Sequence, residues 1–125
     1  MKRDLDLIRR MLLRIEEKAD VPPNTLEVKD FLDMNSNPHY ISLHIQLLLD
    51  AGFIEVMSGA SFYEDVKDFD ITRLTFAGYE YLDTVRNSYI WERTKERLAN
   101  VGGAAALEVV KAVAEGFVKI QLGIG

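Results

Sequence analysis

Ile41 to Glu55, ISLHIQLLLDAGFIE, is the stretch that decides the fold. Ile41, Ile45, Leu48 and Leu49 fall on one side of a 3.6-residue period, the signature of a helix with a single buried stripe. Asn37-Pro38 just upstream is a good start: the Asn side chain can accept from an orphan amide, and proline lacks an amide that the first turn could not bond anyway. Gly52 sits where a left-handed residue ends a helix, and Phe53 to Met57 then reads as a strand. The segment predicts a helix from about Pro38 to Ala51 that runs directly into a short strand.

Working towards the N-terminus, Leu26 to Val28 can pair as a short strand and Lys29 to Asn35 can form a short helix. Val21-Pro22-Pro23-Asn24 before them is a stiff connection. Asp4 can cap a first helix with Leu5, Ile8, Leu12 and Ile15 on one stripe, ending near Lys18. In the other direction, Ser58-Gly59-Ala60-Ser61 reads as a turn and Phe69 to Leu74 as a returning strand. The intervening FYEDVKD is too long for a tight hairpin. Thr75 caps a helix carrying Phe76, Tyr79, Leu82 and Val85, which ends near Asn87 or Ser88, and a second helical stretch follows from Tyr89 to Asn100. Val101-Gly102-Gly103 breaks the chain before a last helix, Ala104 to Leu122, whose Glu108, Lys111, Glu115 and Lys119 form one polar stripe. The order of elements predicts a mainly α protein with a small β wing. Residues 1–88 read as a winged helix-turn-helix domain, and residues 89–125 as a C-terminal helical extension for oligomerisation or partner binding.

Composition narrows the function classes. With 125 residues, 48% hydrophobic and 28% charged, the chain can bury its own core. It contains no cysteine, which excludes disulfides, thiolate metal sites and a cysteine nucleophile. MKRDLDLIRR alternates charge with apolar residues, unlike a signal peptide, and the final helix is interrupted by charges, so the expectation is a cytoplasmic protein with no membrane contact. Net charge is −5. The distribution matters more: Glu55 to Asp70 holds Glu55, Glu64, Asp65, Asp68 and Asp70 against Lys67 alone, and Pro38 to Ala51 has neither Lys nor Arg.

Several segments together resemble a bacterial and prophage family, domain of unknown function 2513. They are MKRDLDLIRRMLL at the start, HIQLLLDAGFIE in the centre, RLTFAGYEYLDTVRNSYIWERTKER after the wing, and VGGAAALEVVKAVAEGFVKIQLGIG at the end. The Ser42, His44 and Ala51-Gly52 pattern is also similar to the recognition-helix segment of ArsR-like winged-helix regulators. The resemblance implies a small, phage-associated winged-helix protein and supplies no catalytic residue to carry over.

Candidate DNA contacts are therefore His39, Ser42, His44 and Gln46 on the central helix, with Arg9, Arg10 and Arg14 on the first helix and Lys29 beyond it. Against this, His44 borders the core stripe between Ile41 and Leu48, and a hydrogen-bonded interior role is the plainer expectation. His39 and His44 lie on different helix faces and make no metal pair. Candidate protein contacts are Phe62, Tyr63, Glu64 and Asp65 in the wing, and Leu107, Val110, Val113 and Phe117 on the last helix. No paired carboxylates, phosphate loop or dinucleotide fingerprint is present, so neither an enzyme nor a cofactor is expected. The leading expectation is a DNA-binding transcriptional regulator acting as a homodimer. The alternative is a module that binds a host or phage protein through its acidic wing and C-terminal helix.

Overall fold

The computed structural model describes residues 1–19, 24–57, 61–100 and 106–124, with Tyr63 described by its backbone alone. The expected features at Pro22-Pro23, Ser58 to Ala60 and Val101 to Gly103 lie outside the described residues. The protein is mainly helical with short antiparallel strands, and it divides into two compact units, Met1–Tyr79 and Glu80–Gly125. That division runs inside a helix, upstream of the expected boundary after residue 88.

In the first unit, α1 (Leu5–Lys18) begins at Asp4, whose side chain accepts from the Leu7 amide at 3.1 Å. Leu7, Ile8, Met11, Leu12 and Ile15 form its buried stripe. Helix α2 (Pro38–Asp50) is capped by Asn37, which accepts from the His39 amide, and is left through Gly52 at φ 76. Ile41, Ile45 and Leu48 are its core side. The expected second helix at Lys29 to Asn35 is instead a 3-10 turn, Val28–Phe31. Asp30 Oδ2 accepts from the Glu27 amide at 2.8 Å to start it, and the chain then continues in turns, with the Met34 and Asn35 amides both donating to the Phe31 carbonyl. The expected strand at Leu26 to Val28 is a single antiparallel bridge, Leu26 to Ile71.

Strand β1 (Ile54–Val56) pairs antiparallel with β4 (Ile71–Leu74), placing Ile54 opposite Leu74 and Glu55 opposite Arg73, with an irregularity after Glu55. Between them lies the main departure from expectation. Ser61–Tyr63 (β2) and Val66–Asp68 (β3) form a separate antiparallel hairpin closed by the two residues Glu64 and Asp65. Such turns normally announce themselves with Asn-Gly or Asp-Gly because a central residue needs positive φ. Here Glu64 adopts that backbone itself, at φ 57, which leaves no sequence signal.

Helix α3 (Phe76–Val85) starts where expected. Thr75 Oγ1 accepts from the Gly78 amide at 3.1 Å and donates to the Gly52 carbonyl, while the Thr75 amide donates to the Phe53 carbonyl at 3.0 Å. This draws the helix so close to the chain leaving α2 that a Cβ on Gly78 would lie 2.2 Å from the Phe53 carbonyl oxygen.

In the second unit, Asn87 accepts from the Ile90 amide to cap α4 (Ser88–Ala99), which packs on α5 (Leu107–Leu122). Ile90, Trp91, Thr94 and Leu98 are buried on α4, and Val110 and Ala114 on α5. The Arg93 guanidinium lies between the Tyr89 and Phe117 rings, 6.0 and 5.5 Å from their centroids.

The two helical glycines should respond oppositely to alanine. Gly78→Ala should destabilise the protein by about 1–3 kcal/mol or more, since backbone must move. Gly116→Ala, whose Cβ meets nothing within 4 Å, should be neutral or stabilising by about 0.5–1 kcal/mol. Urea denaturation of both variants reads the contrast directly.

Candidate functional site

Helix α2 presents three differently occupied sides. The apolar side enters the core. A second side carries Tyr40 and His44, both directed at the N-terminal arm. His44 is fully buried, its ring 4.4 Å from that of Tyr40. Its Nδ1 bonds the Tyr40 carbonyl at 2.9 Å, and its Nε2 lies 2.9 Å from the Asp4 amide. Because a carbonyl can only accept and an amide N–H can only donate, the partners assign the neutral tautomer with the proton on Nδ1. The Tyr40 hydroxyl donates to the Lys2 carbonyl at 2.6 Å. Together they fasten Lys2 to Asp4 onto α2 and fix the residue that caps α1.

Burial pushes the His44 pKa below its ordinary 6.5, and Arg3 adds to this, while the Tyr40 carbonyl and Asp4 oppose it. Protonation would also set a second N–H against the Asp4 amide. The unfolded chain takes up this proton near pH 6.5 and the folded chain does not, so the contribution is complete above 6.5 and is lost as pH falls towards the folded value. Stability should decline as pH falls below 6.5, with a slope of up to about 1.4 kcal/mol per pH unit. His44→Leu should be less stable at neutral pH by about 1–3 kcal/mol, leaving the Asp4 amide without its acceptor, and should lose that slope. Denaturation at stepped pH separates the two.

The third side of α2 carries His39, Ser42 and Gln46, at spacings of three and four, so they line one stripe. The β2–β3 hairpin lies along it. The Ser42 hydroxyl donates to the Lys67 carbonyl at 2.6 Å, and Lys67 Nζ donates to Gln46 Oε1 at 2.9 Å. Gln46 in turn donates to Asp50 Oδ1 at 2.9 Å. At the turn, Asp65 Oδ1 is 3.9 Å from His39 Nε2. Asp68 secures the end of β3: its Oδ1 accepts from the Val28 amide at 2.9 Å and from the Phe69 amide at 2.8 Å. Val66 and Phe69 are buried beneath the hairpin, and Lys67 Nζ sits 5.2 Å from the Phe69 ring centroid. Lys67 and Asp68 were not among the candidates, and the one signal for Lys67 is that it is the lone cation in an acidic run.

The candidate DNA contacts are placed as follows. Ser42 and His44 are buried, and Gln46 is hydrogen-bonded on both ends of its amide, while His39 remains exposed beside Asp65. Arg14 is committed to α1's own neighbourhood: it makes a two-pronged pair with Asp33 at 2.6 and 2.9 Å and donates to the Asp30 carbonyl. That hydrogen bond raises the Arg14 pKa and lowers that of Asp33. Arg9 is half-buried, Arg10 is exposed, and Lys29 is exposed 3.9 Å from Glu27. Of the expected protein contacts, Phe62, Glu64 and Asp65 are exposed, whereas Val110 is fully buried on α5, and Leu107, Val113 and Phe117 are half-buried. Among the described residues no cluster of His, Asp and Glu could hold a metal ion, and no helix is long and apolar enough to cross a membrane.

The family profile described as "Hypothetical protein (DUF2513)" matches residues 2–105. The chain belongs to the DUF2513 family. One relative in sequence is an "Uncharacterized protein" of Haemophilus influenzae, 31% identical over 122 residues that span 98% of this chain and 99% of the relative. No solved structure matches.

The hairpin's grip on α2 is open to test. Asp68→Ala should cost about 1.5–3 kcal/mol, because it removes a charged acceptor from two amides, and Ser42→Ala about 1 kcal/mol. In both variants amide hydrogen exchange should quicken in Val66 to Asp68 well before it does in α1.

Proposed function

We propose that this chain is a winged-helix-like protein-interaction module, which engages a protein partner through the acidic outer face of the β2–β3 hairpin and does not read DNA through α2. The observation that carries this reading is the cover on α2. A recognition helix must offer its outer side chains to base edges in the major groove, and here Ser42 and Gln46 on that side are bonded to Lys67 of the hairpin.

Charge points the same way. A phosphate-binding surface needs several cations, about six for useful non-specific affinity, and α2 supplies none while the hairpin turn carries Glu64 and Asp65. Phe62 stands 65% exposed next to those carboxylates. An exposed ring among acids suits a protein surface bearing Arg or Lys, where an aromatic contact and complementary charge add. The DNA-binding regulator reading keeps some support from the exposed Arg10 and Lys29, but the pairing of Arg14 with Asp33 removes one of its phosphate contacts.

Fluorescence anisotropy with a labelled mixed-sequence duplex should show no binding even at low salt. Micromolar binding that falls steeply with added salt would contradict the proposal and return the regulator reading. In parallel, a bacterial protein retained by the wild-type chain should be lost when Phe62→Ala and Glu64→Gln are combined. Equal retention by the variant would take the hairpin out of the interface.

A further inference from the structure

Helix α5 has a second surface that the α4 contact does not use. With Val110 and Ala114 turned into the α4 interface, the opposite side presents Val109, Ala112, Gly116 and Ile120 at spacings of three, four and four. Val109 is 49% and Ile120 68% exposed, and a Cβ placed on Gly116 would meet nothing within 4 Å. The stripe therefore has large apolar residues at its ends and small ones between, spread over about 16 Å of helix.

We propose that α5 pairs antiparallel with α5 of a second copy of this chain, about a two-fold axis level with Val113 and Ala114. The sequence is complementary to its own reverse about that level. Inverting it sets Val109 against Ile120 and Ala112 against Gly116, and the small pair lets the two backbones approach. The same inversion brings Glu108 level with Lys119. These two residues, both exposed, lie on one edge of the helix three turns apart. A two-fold axis of this kind maps that edge onto the same edge of the partner, so each copy's Glu108 faces the other's Lys119, twice per dimer, as flanking charges do in antiparallel coiled coils. A parallel, in-register pair would instead place the two copies of this edge on opposite sides of the seam, where Glu108 and Lys119 could not meet. Self-complementarity of both shape and charge selects a second copy as the occupant. No residue of the β2–β3 hairpin takes part in this pairing.

Sedimentation velocity of the full chain over a concentration series tests it. The wild type should shift from monomer to dimer with rising concentration. Glu108→Lys alone, or Lys119→Glu alone, should weaken the dimer about tenfold or more, and the double reversal should restore it. Gly116→Phe should abolish the dimer while its melting temperature at dilute, monomeric concentration stays no lower than that of the wild type, since the added ring points into open space in the monomer. A wild type that stays monomeric at every concentration would overturn the proposal. So would a dimer indifferent to the single charge reversals, and in that case self-association would stand while this interface would not.

Discussion

The hydroxyl of Ser42 and the carbonyl of Lys67 meet at 2.6 Å, and this bond holds the β2–β3 hairpin against α2. A mid-helix serine is an indifferent helix former that needs a partner when buried, and a short hairpin cannot stand alone in water. Each supplies what the other lacks. With the hairpin lying on α2, Val66 and Phe69 gain cover, Asp68 reaches the amide that opens the 3-10 turn, and Lys67 reaches Gln46. The short turn between α1 and α2 is thus supported by the hairpin, and the side of α2 that would be available to a ligand is occupied by the chain itself.

On the neighbouring side of α2 the same logic holds with a different residue. A buried histidine is costly when charged, and burial holds the His44 pKa below its ordinary value while both ring nitrogens are matched, one to an acceptor and one to a donor. Its partner at Nε2 is the amide of the residue that caps α1, so helix capping and core polarity are one arrangement. Polar residues on α2 consequently serve internal closure on two sides.

Much of this architecture was legible where local chemistry is strongest. Asp4, Asn37, Thr75 and Gly52 mark helix ends because orphan amides and left-handed backbone have few solutions. The hairpin was not legible, since Glu64 takes positive φ without being glycine or asparagine, and because three-residue strands are too short to show alternation. Nor could the sequence reveal that Ser42 and Gln46 face a neighbouring strand: an interior polar stripe and a solvent-facing one have the same helical period, and only the partner across the gap distinguishes them. On α5 the polar stripe was correctly spaced, but Val110 was assigned to the free surface when it lies against α4, because a wide apolar arc does not say which part a single packed neighbour will take.

The central claim is that the hairpin closes over α2 in the free protein. Nuclear Overhauser contacts in the isolated chain measure this most directly, read between the Lys67 side chain and Gln46 and between the Asp65 β-protons and the His39 ring. The account predicts both sets of cross-peaks in solution, together with a slowly exchanging Val28 amide. A spectrum with neither set, and with a Val28 amide exchanging as freely as an exposed one, would show α2 uncovered and would contradict the account.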